Sequence, residues 1–128
     1  NDEAAAEAEQ AYSLTARWHP GSGDAAMQRH NAGLIAVRRG RYDEARGHFE
    51  SAIDELEAVV GPDHALVRIP LVGLADLLEN QLDQVAAAVP LYERSVAIAR
   101  LHYPEGAPAR AKAEADLRRA RDKLAGQR

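Results

Sequence analysis

The sequence predicts an all-α fold of about six helices that stack as antiparallel pairs, an α-solenoid. Helix-forming residues are abundant and strand formers are sparse, and the 128 residues contain a single Phe and a single Trp. This composition favours helices over strands. The second observation is a repeat with a period near 42 residues. A fixed period of this size is typical of stacked supersecondary units.

The repeat is clearest in residues 40–52, and a weaker copy lies at 88–96. In both segments an aromatic residue follows a small one by four positions: Ala45 with Phe49, and Ala88 with Tyr92. Pairs of landmarks also recur 42 residues apart: His19-Pro20 with Gly61-Pro62, Ala32-Gly33 with Leu74-Ala75, and Gly61-Pro62 with Tyr103-Pro104. Repetition of this kind directs attention to a binding partner rather than to a reaction.

The first two helices are predicted on either side of a breaker segment. Residues 2–17 follow helical spacing without interruption, and the Pro- and Gly-containing segment 19–23 ends that helix. Asp24 is a candidate N-cap for the second helix, since its carboxylate can accept backbone N–H groups. The second helix runs to about Arg39, and Gly40 suits its C-terminal stop.

The third and fourth helices are separated by a second Gly-Pro turn. Residues 42–60 carry apolar side chains three, four and seven positions apart, which predicts an amphipathic helix ending at Gly61. Asp63 can cap the segment 64–80 that follows. Because Pro70 cannot donate a backbone hydrogen bond, we expect either a kink at that residue or a helix that starts near it.

The last two helices complete the pattern. Residues 80–83 read as a turn, and the next helix covers about 84–102, with Pro90 near its first turn, where proline is tolerated. The final helix covers about 107–125, and Gly126 can end it. Its basic residues suit the negative end of the helix dipole.

Composition and motifs exclude several classes of function. The chain has no cysteine, which rules out disulfides and thiolate chemistry. The formal net charge of −4 gives no case for nucleic-acid binding. No apolar run approaches the roughly 20 residues that a membrane helix needs. The five histidines form no metal-ligand pair, and no phosphate-binding loop or nucleophile motif is present, so we expect no cofactor, no metal and no catalytic site.

The repeat resembles the tetratricopeptide repeat, in the longer 42-residue form found in kinesin light chains and many bacterial proteins. The matching residues are Gly33, Gly40, Tyr42, Ala45, Phe49 and Ala52 in one repeat, and the segments 74–81 and 90–94 in the next. Leu82 departs from the pattern because it stands where the family has a turn glycine. The resemblance implies a right-handed superhelix in a single domain, 1–128. Its parts are the second helix of a partial repeat (1–20), two full repeats (24–60 and 63–102) and a C-terminal capping helix (107–128).

In this family the first helices of successive pairs line a concave groove. The resemblance therefore implies groove positions for Met27, His30, Asn31, Leu34, Val37 and Arg38 in the first full repeat. The second full repeat contributes Ile69, Val72, Gly73, Asp76, Glu79 and Asn80, and the last helix contributes Glu114, Ala115 and Arg118. Asn31 matches an asparagine that hydrogen-bonds the backbone of a ligand peptide. Met27, Leu34 and Val37 would supply apolar pockets, and Arg38 would pair with a ligand carboxylate.

The resemblance implies a non-catalytic protein-interaction module or scaffold that holds a protein or peptide partner in the groove. Two alternatives stay open. The chain begins at Asn1 instead of Met, which suggests a sensor or regulatory segment of a larger bacterial signalling protein, such as a kinase, an ATPase or a transcription regulator. Exposed repeat ends could also make the chain a self-assembling module. We expect a cytoplasmic location, with an exported form still open.

Overall fold

The computed structural model describes residues 23–127, and this part of the chain is helical without any strand. Its helices are α1 (Gly23–Arg38), α2 (Tyr42–Val60), α3 (Arg68–Asn80), α4 (Val85–His102) and α5 (Pro108–Gly126), with a short 3₁₀ helix at Ala65–Val67. Helix α1 packs on α2 and α3 packs on α4, while α2 with α3 and α4 with α5 join the successive layers. The prediction of an all-α solenoid is confirmed. The helix predicted at 2–17 lies outside the described residues.

Left-handed backbone at the helix ends accounts for the predicted stops. Gly40 and Gly61 follow α1 and α2 with φ of 73° and 91°. Glycine adopts this region without steric cost, so both stops are confirmed. In the turn after α3, Leu82 replaces the glycine of the family pattern, and Asp83 takes the left-handed conformation instead, with φ of 51°. Aspartate tolerates that region better than most residues do.

Two predicted caps differ from the structure. Asp24 lies inside α1, in its first turn, rather than before the helix. It still favours the helix there because its charge faces the positive end of the dipole. His64 replaces Asp63 as the cap of the segment that leads into α3, since His64 Nδ1 accepts the Leu66 N–H at 3.1 Å. An unprotonated imidazole nitrogen has the same acceptor role as a capping carboxylate.

The two prolines in helical segments have different surroundings. Helix α3 starts at Arg68, so Pro70 is its third residue and lacks only an N–H that would have no partner in the first turn. Of the two expectations for Pro70, the helix that starts near it is confirmed. Pro90 was expected near the first turn of its helix, but it is the sixth residue of α4. At that position it removes one hydrogen bond to the carbonyl of Ala86.

The single Phe of the chain sits at the centre of the core, where α1, α2 and α3 meet. Phe49 is fully buried, and a Cβ atom on Gly33 would lie 2.7 Å from its Cε1 atom. A Cβ atom on Gly73 would lie 2.8 Å from the same atom. Both distances are far below normal carbon contacts of about 3.5–4.0 Å. Glycine at these two positions therefore lets α1 and α3 approach the ring from two sides.

A methyl group at Gly33 tests this close contact. We expect Gly33→Ala to lower the free energy of unfolding by about 1 kcal/mol, because overpacking costs about 1–3 kcal/mol and helix propensity recovers up to about 1. The matched control is Gly47→Ala in α2, since Gly47 is exposed and has nothing within 4 Å of its Cβ position. That variant should gain up to about 1 kcal/mol. Urea unfolding followed by circular dichroism measures both, and equal gains would contradict the close contact.

Candidate functional site

A solvent-open cleft of about 310 Å³ lies between α3 and α5, and we call it the α3–α5 cleft. Four parts of the chain line it: the 3₁₀ helix, α3, α5 and the loop that follows α4. The lining residues are Ala65, Leu66, Arg68, Ile69, Val72, Tyr103, Lys112 and Asp116. Ile69 is 40% exposed and Val72 is half-buried beside it. Large apolar side chains left open in a recess are a common feature of binding sites.

Arg68 holds one wall of this cleft in place. Its Nε donates to Ser95 Oγ at 3.1 Å, and its Nη2 lies 3.4 Å from the carbonyl oxygen of Ala109. Its guanidinium carbon is also 5.9 Å from the ring centroid of Tyr103. Arg68 thus joins α3 to α4 and α5, so the distance between the two sides of the cleft is set by an ordered side chain.

Lys112 supplies the exposed charge of the α3–α5 cleft. Its side chain is 69% exposed, and its Nζ lies 2.8 Å from Asp116 Oδ2. Asp116 is nearly buried and also accepts a hydrogen bond from Arg119 at 2.8 Å. Because an ammonium group carries three donors, Lys112 can keep this contact and still bind an acceptor on a ligand.

Beneath the cleft lies a set of five polar side chains that we call the Tyr92 cluster: Asp76, Glu79, Tyr92, Asp116 and Arg119. The Tyr92 hydroxyl donates to Asp76 Oδ1 and also lies 2.8 Å from Glu79 Oε1. Arg119 donates to both oxygens of Glu79, at 2.8 and 3.2 Å, and to Asp116. Two-point pairing of this kind is strong and directional. The cluster therefore ties α3, α4 and α5 together through side chains.

The surroundings shift the pKa values of the two α3 carboxyls in opposite directions. The hydrogen bonds from Arg119 lower the pKa of Glu79, so this carboxylate stays ionised although it is only 2% exposed. Burial raises the pKa of Asp76, which is farther from the arginine. Burial also raises the pKa of the Tyr92 phenol. The Tyr92 hydroxyl has a single proton to donate, and both carboxyls lie within hydrogen-bond distance of its oxygen.

The predicted groove residues of α1 fall into exposed and buried groups. Asn31, Leu34 and Arg38 are exposed, and Met27 and Val37 are half-buried near them. His30 is buried instead, with its ring centroid 5.4 Å from that of Phe49. Burial lowers its pKa, which keeps the imidazole neutral. The placement of His30 on an open groove surface is therefore corrected: its side chain belongs to the core.

The predicted residues of α3 divide in the same way. Ile69 and Val72 line the α3–α5 cleft, and Asn80 is exposed at the end of the helix. Glu79 is corrected, since its buried carboxylate is already bound to Arg119 and Tyr92. The half-buried Asp76 also bonds Tyr92. Gly73, assigned to the groove by the repeat pattern, packs against Phe49.

Arg118 is placed away from the α3–α5 cleft. Together with Glu114 it lines a second cleft, of about 230 Å³, which lies between α4 and α5. The prediction that α5 adds Arg118 to the same groove as Ile69 is therefore corrected. Helix α5 contributes Lys112 and Asp116 there instead. Sequence reasoning missed these two residues because their spacing of four is also that of an ordinary solvent-exposed ion pair on a helix.

Residues 23–127 contain neither a candidate metal site nor a candidate membrane-spanning helix. No group of three or more His, Asp or Glu side chains in this part of the chain is arranged to hold a metal ion. No helix among these residues combines the length and the apolar character needed to cross a membrane.

The family model of the tetratricopeptide repeat matches residues 23–100, which contain α1 to α4 up to the last turn of α4. No curated protein matches the sequence. The matched span covers both helix pairs, including Phe49 and Tyr92, and it ends before α5.

The Tyr92 cluster generates a stability prediction. Glu79→Gln should lower the free energy of unfolding at pH 7 by about 1–3 kcal/mol, because it leaves charge-assisted hydrogen bonds of Arg119 unmatched. Since the folded pKa of Glu79 is depressed, its contribution is present above the unfolded value of about 4.3 and is lost as the pH falls through the folded pKa. The difference in the free energy of unfolding between the variant and the wild type should therefore become smaller in acid. Urea titrations across the acid range measure it.

The control for that experiment is Asp76→Asn in the same cluster. The folded pKa of Asp76 is raised, so ionisation of this carboxyl costs stability as the pH rises toward neutrality. We therefore expect Asp76→Asn to be neutral or stabilising at pH 7, with Asn Oδ1 still accepting from Tyr92. Equal losses in both variants at pH 7 would overturn the assignment of opposite roles.

Proposed function

Since the chain belongs to the tetratricopeptide repeat family, we propose that it is a non-catalytic protein-interaction module that holds a segment of a partner protein in the α3–α5 cleft and along α1. Repeats of this family generally mediate contacts between proteins. The 42-residue spacing supports the longer form found in kinesin light chains and in many bacterial proteins. We also propose the division of a single domain into full repeats at 24–60 and 63–102, with α5 as a cap.

The observation that carries this proposal is the exposed Ile69 at the floor of a recess between two first helices, α3 and α5. Together with Leu66 and Val72 it offers apolar contact to an incoming side chain. A recess of about 310 Å³ suits one or two side chains of a peptide rather than a large cofactor. Burial of an apolar side chain there would contribute about 25 cal/mol for each Å² removed from water.

Charge at the edge of the recess adds a second element of recognition. Lys112 lies at the rim with donors to spare, so a carboxylate close to the apolar anchor would be favoured. Along α1, Asn31 offers both a donor and an acceptor to an extended backbone, and Arg38 is exposed for a second carboxylate. The favoured ligand is a peptide segment with an apolar side chain flanked by acidic residues.

Selection from a random peptide library, followed by fluorescence anisotropy on purified protein, tests this proposal. We expect selected peptides to share an apolar anchor with nearby Asp or Glu. Ile69→Glu should weaken their binding by about tenfold or more, which corresponds to about 1.4 kcal/mol. The matched control is Val59→Glu. Val59 is 42% exposed, close to the 40% of Ile69, but it lies on α2, which does not line the cleft. That variant should bind within about twofold of wild type.

Other results would remove the groove assignment. Peptides that bind Ile69→Glu and wild type equally, or that are lost only from Val59→Glu, would place the binding surface elsewhere. A library that yields no binder would remove the peptide ligand. The sensor or regulatory role within a larger signalling protein and the cytoplasmic location stay predictions.

A further inference from the structure

The second cleft, between α4 and α5, has a different chemistry from the first. We call it the α4–α5 cleft. Its floor is apolar and consists of Val96 and Leu117. Its rim carries three arginines, Arg100, Arg118 and Arg121, against two acids, Glu114 and Asp122. A cationic rim around a small apolar floor suits an acidic amphipathic helix.

The rim arginines can exchange their present carboxylate partners for carboxylates of another molecule. Arg121 pairs with Glu93 at 3.2 Å and Arg100 with Glu114 at 3.7 Å, and both arginine side chains are more than half exposed. Exposed pairs of this kind contribute little to stability, so they can give way to a new carboxylate at little cost. Arg118 is exposed between them.

The charge distribution of the chain points to an occupant. Helix α5 contains six Lys or Arg residues against three Asp or Glu residues. Residues 1–20 contain four carboxylates, at Asp2, Glu3, Glu7 and Glu9, against the single Arg17. A helix with a basic excess and a segment with an acidic excess thus belong to the same chain. Opposite charge at two surfaces steers them together and fixes their register.

The apolar pattern of the acidic segment also fits the cleft. Ala4, Ala8 and Tyr12 recur every four residues, which is the spacing of one face of a helix. Small alanines at that face would permit close approach to Val96 and Leu117, and Tyr12 offers a larger contact. Glu3 and Glu7 are one helical turn apart, a spacing that suits two neighbouring rim arginines.

The position of α1 indicates that the cleft and its occupant come from different copies. Helix α1 packs on α2 and α3, whereas α5 packs on α4 at the other end of the stack. The acidic segment precedes α1 in the chain, and α1 and α5 are at opposite ends of the described stack. We propose that the α4–α5 cleft of one copy receives residues 2–17 of a second copy. Each copy then offers one segment and one cleft, and assembly proceeds head to tail.

Sedimentation velocity over a range of concentrations tests this assembly in the intact chain. The wild type should exceed the monomer mass of 13.9 kDa as the concentration rises. The association should weaken between 0.1 and 1 M salt, where the Debye length falls from about 10 to about 3 Å. Reversal of the rim, Arg118→Glu with Arg121→Glu, and reversal of the segment, Glu3→Arg with Glu7→Arg, should each weaken association by about tenfold or more.

Combining both reversals in one chain is the decisive measurement. That chain should regain association, because the charges are again complementary, and its recovery also excludes misfolding of the reversed cleft. The matched control is Arg39→Glu with Arg41→Glu, two exposed arginines near α1 that should leave association unchanged. A wild type that stays at 13.9 kDa at every concentration would overturn the proposal. So would reversals that associate like wild type, or a doubly reversed chain that does not recover.

Discussion

Close packing of Phe49 between Gly33 and Gly73 determines how the first helices of the two pairs lie relative to each other. The ring enters the space that two absent side chains leave, and the helices α1 and α3 close on it from different directions. Leu34 lies on α1 and Ile69 on α3, so the relative positions of these two residues depend on this contact. Since protein interiors are packed about as densely as organic crystals, a shift at the ring would pass to both helices.

The second repeat places Tyr92 at the position of Phe49, and one oxygen atom changes what surrounds it. A buried hydroxyl requires hydrogen-bond partners, whereas the ring of Phe49 requires none. Asp76 and Glu79 supply them from α3, and Arg119 on α5 balances the charge that these carboxylates bring. The cost of burying charge is offset only when the geometry is good on all sides. Helix α5 is thus held by these polar contacts in addition to the packing of its buried Ala113, Leu117 and Ala120.

Helix α5 consequently lines both clefts, each with a different side of the helix. Toward α3 it presents Lys112 and Asp116 to an apolar recess, and toward α4 it presents Arg118 and Arg121 above Leu117. The two clefts differ in charge and in the helix that faces α5, so the two ligands proposed for them would not compete. An assembled chain of copies would display the peptide-binding recess once in every copy, which raises the effective concentration for a partner with repeated motifs.

Local signals in the sequence were enough to predict the helices of residues 23–127. The bounds 42–60 of α2 were predicted at both ends, because apolar spacing and a left-handed glycine act over a few residues. The family resemblance predicted groove positions for Ile69 and Val72, and both residues line the α3–α5 cleft. Whether a groove position is open or filled was decided only by the tertiary structure. Glu79 and Arg119 are 40 residues apart, and His30 meets a ring from another helix. Periodicity assigns a side chain to a face of its own helix, whereas burial and pairing depend on which distant side chains reach that face.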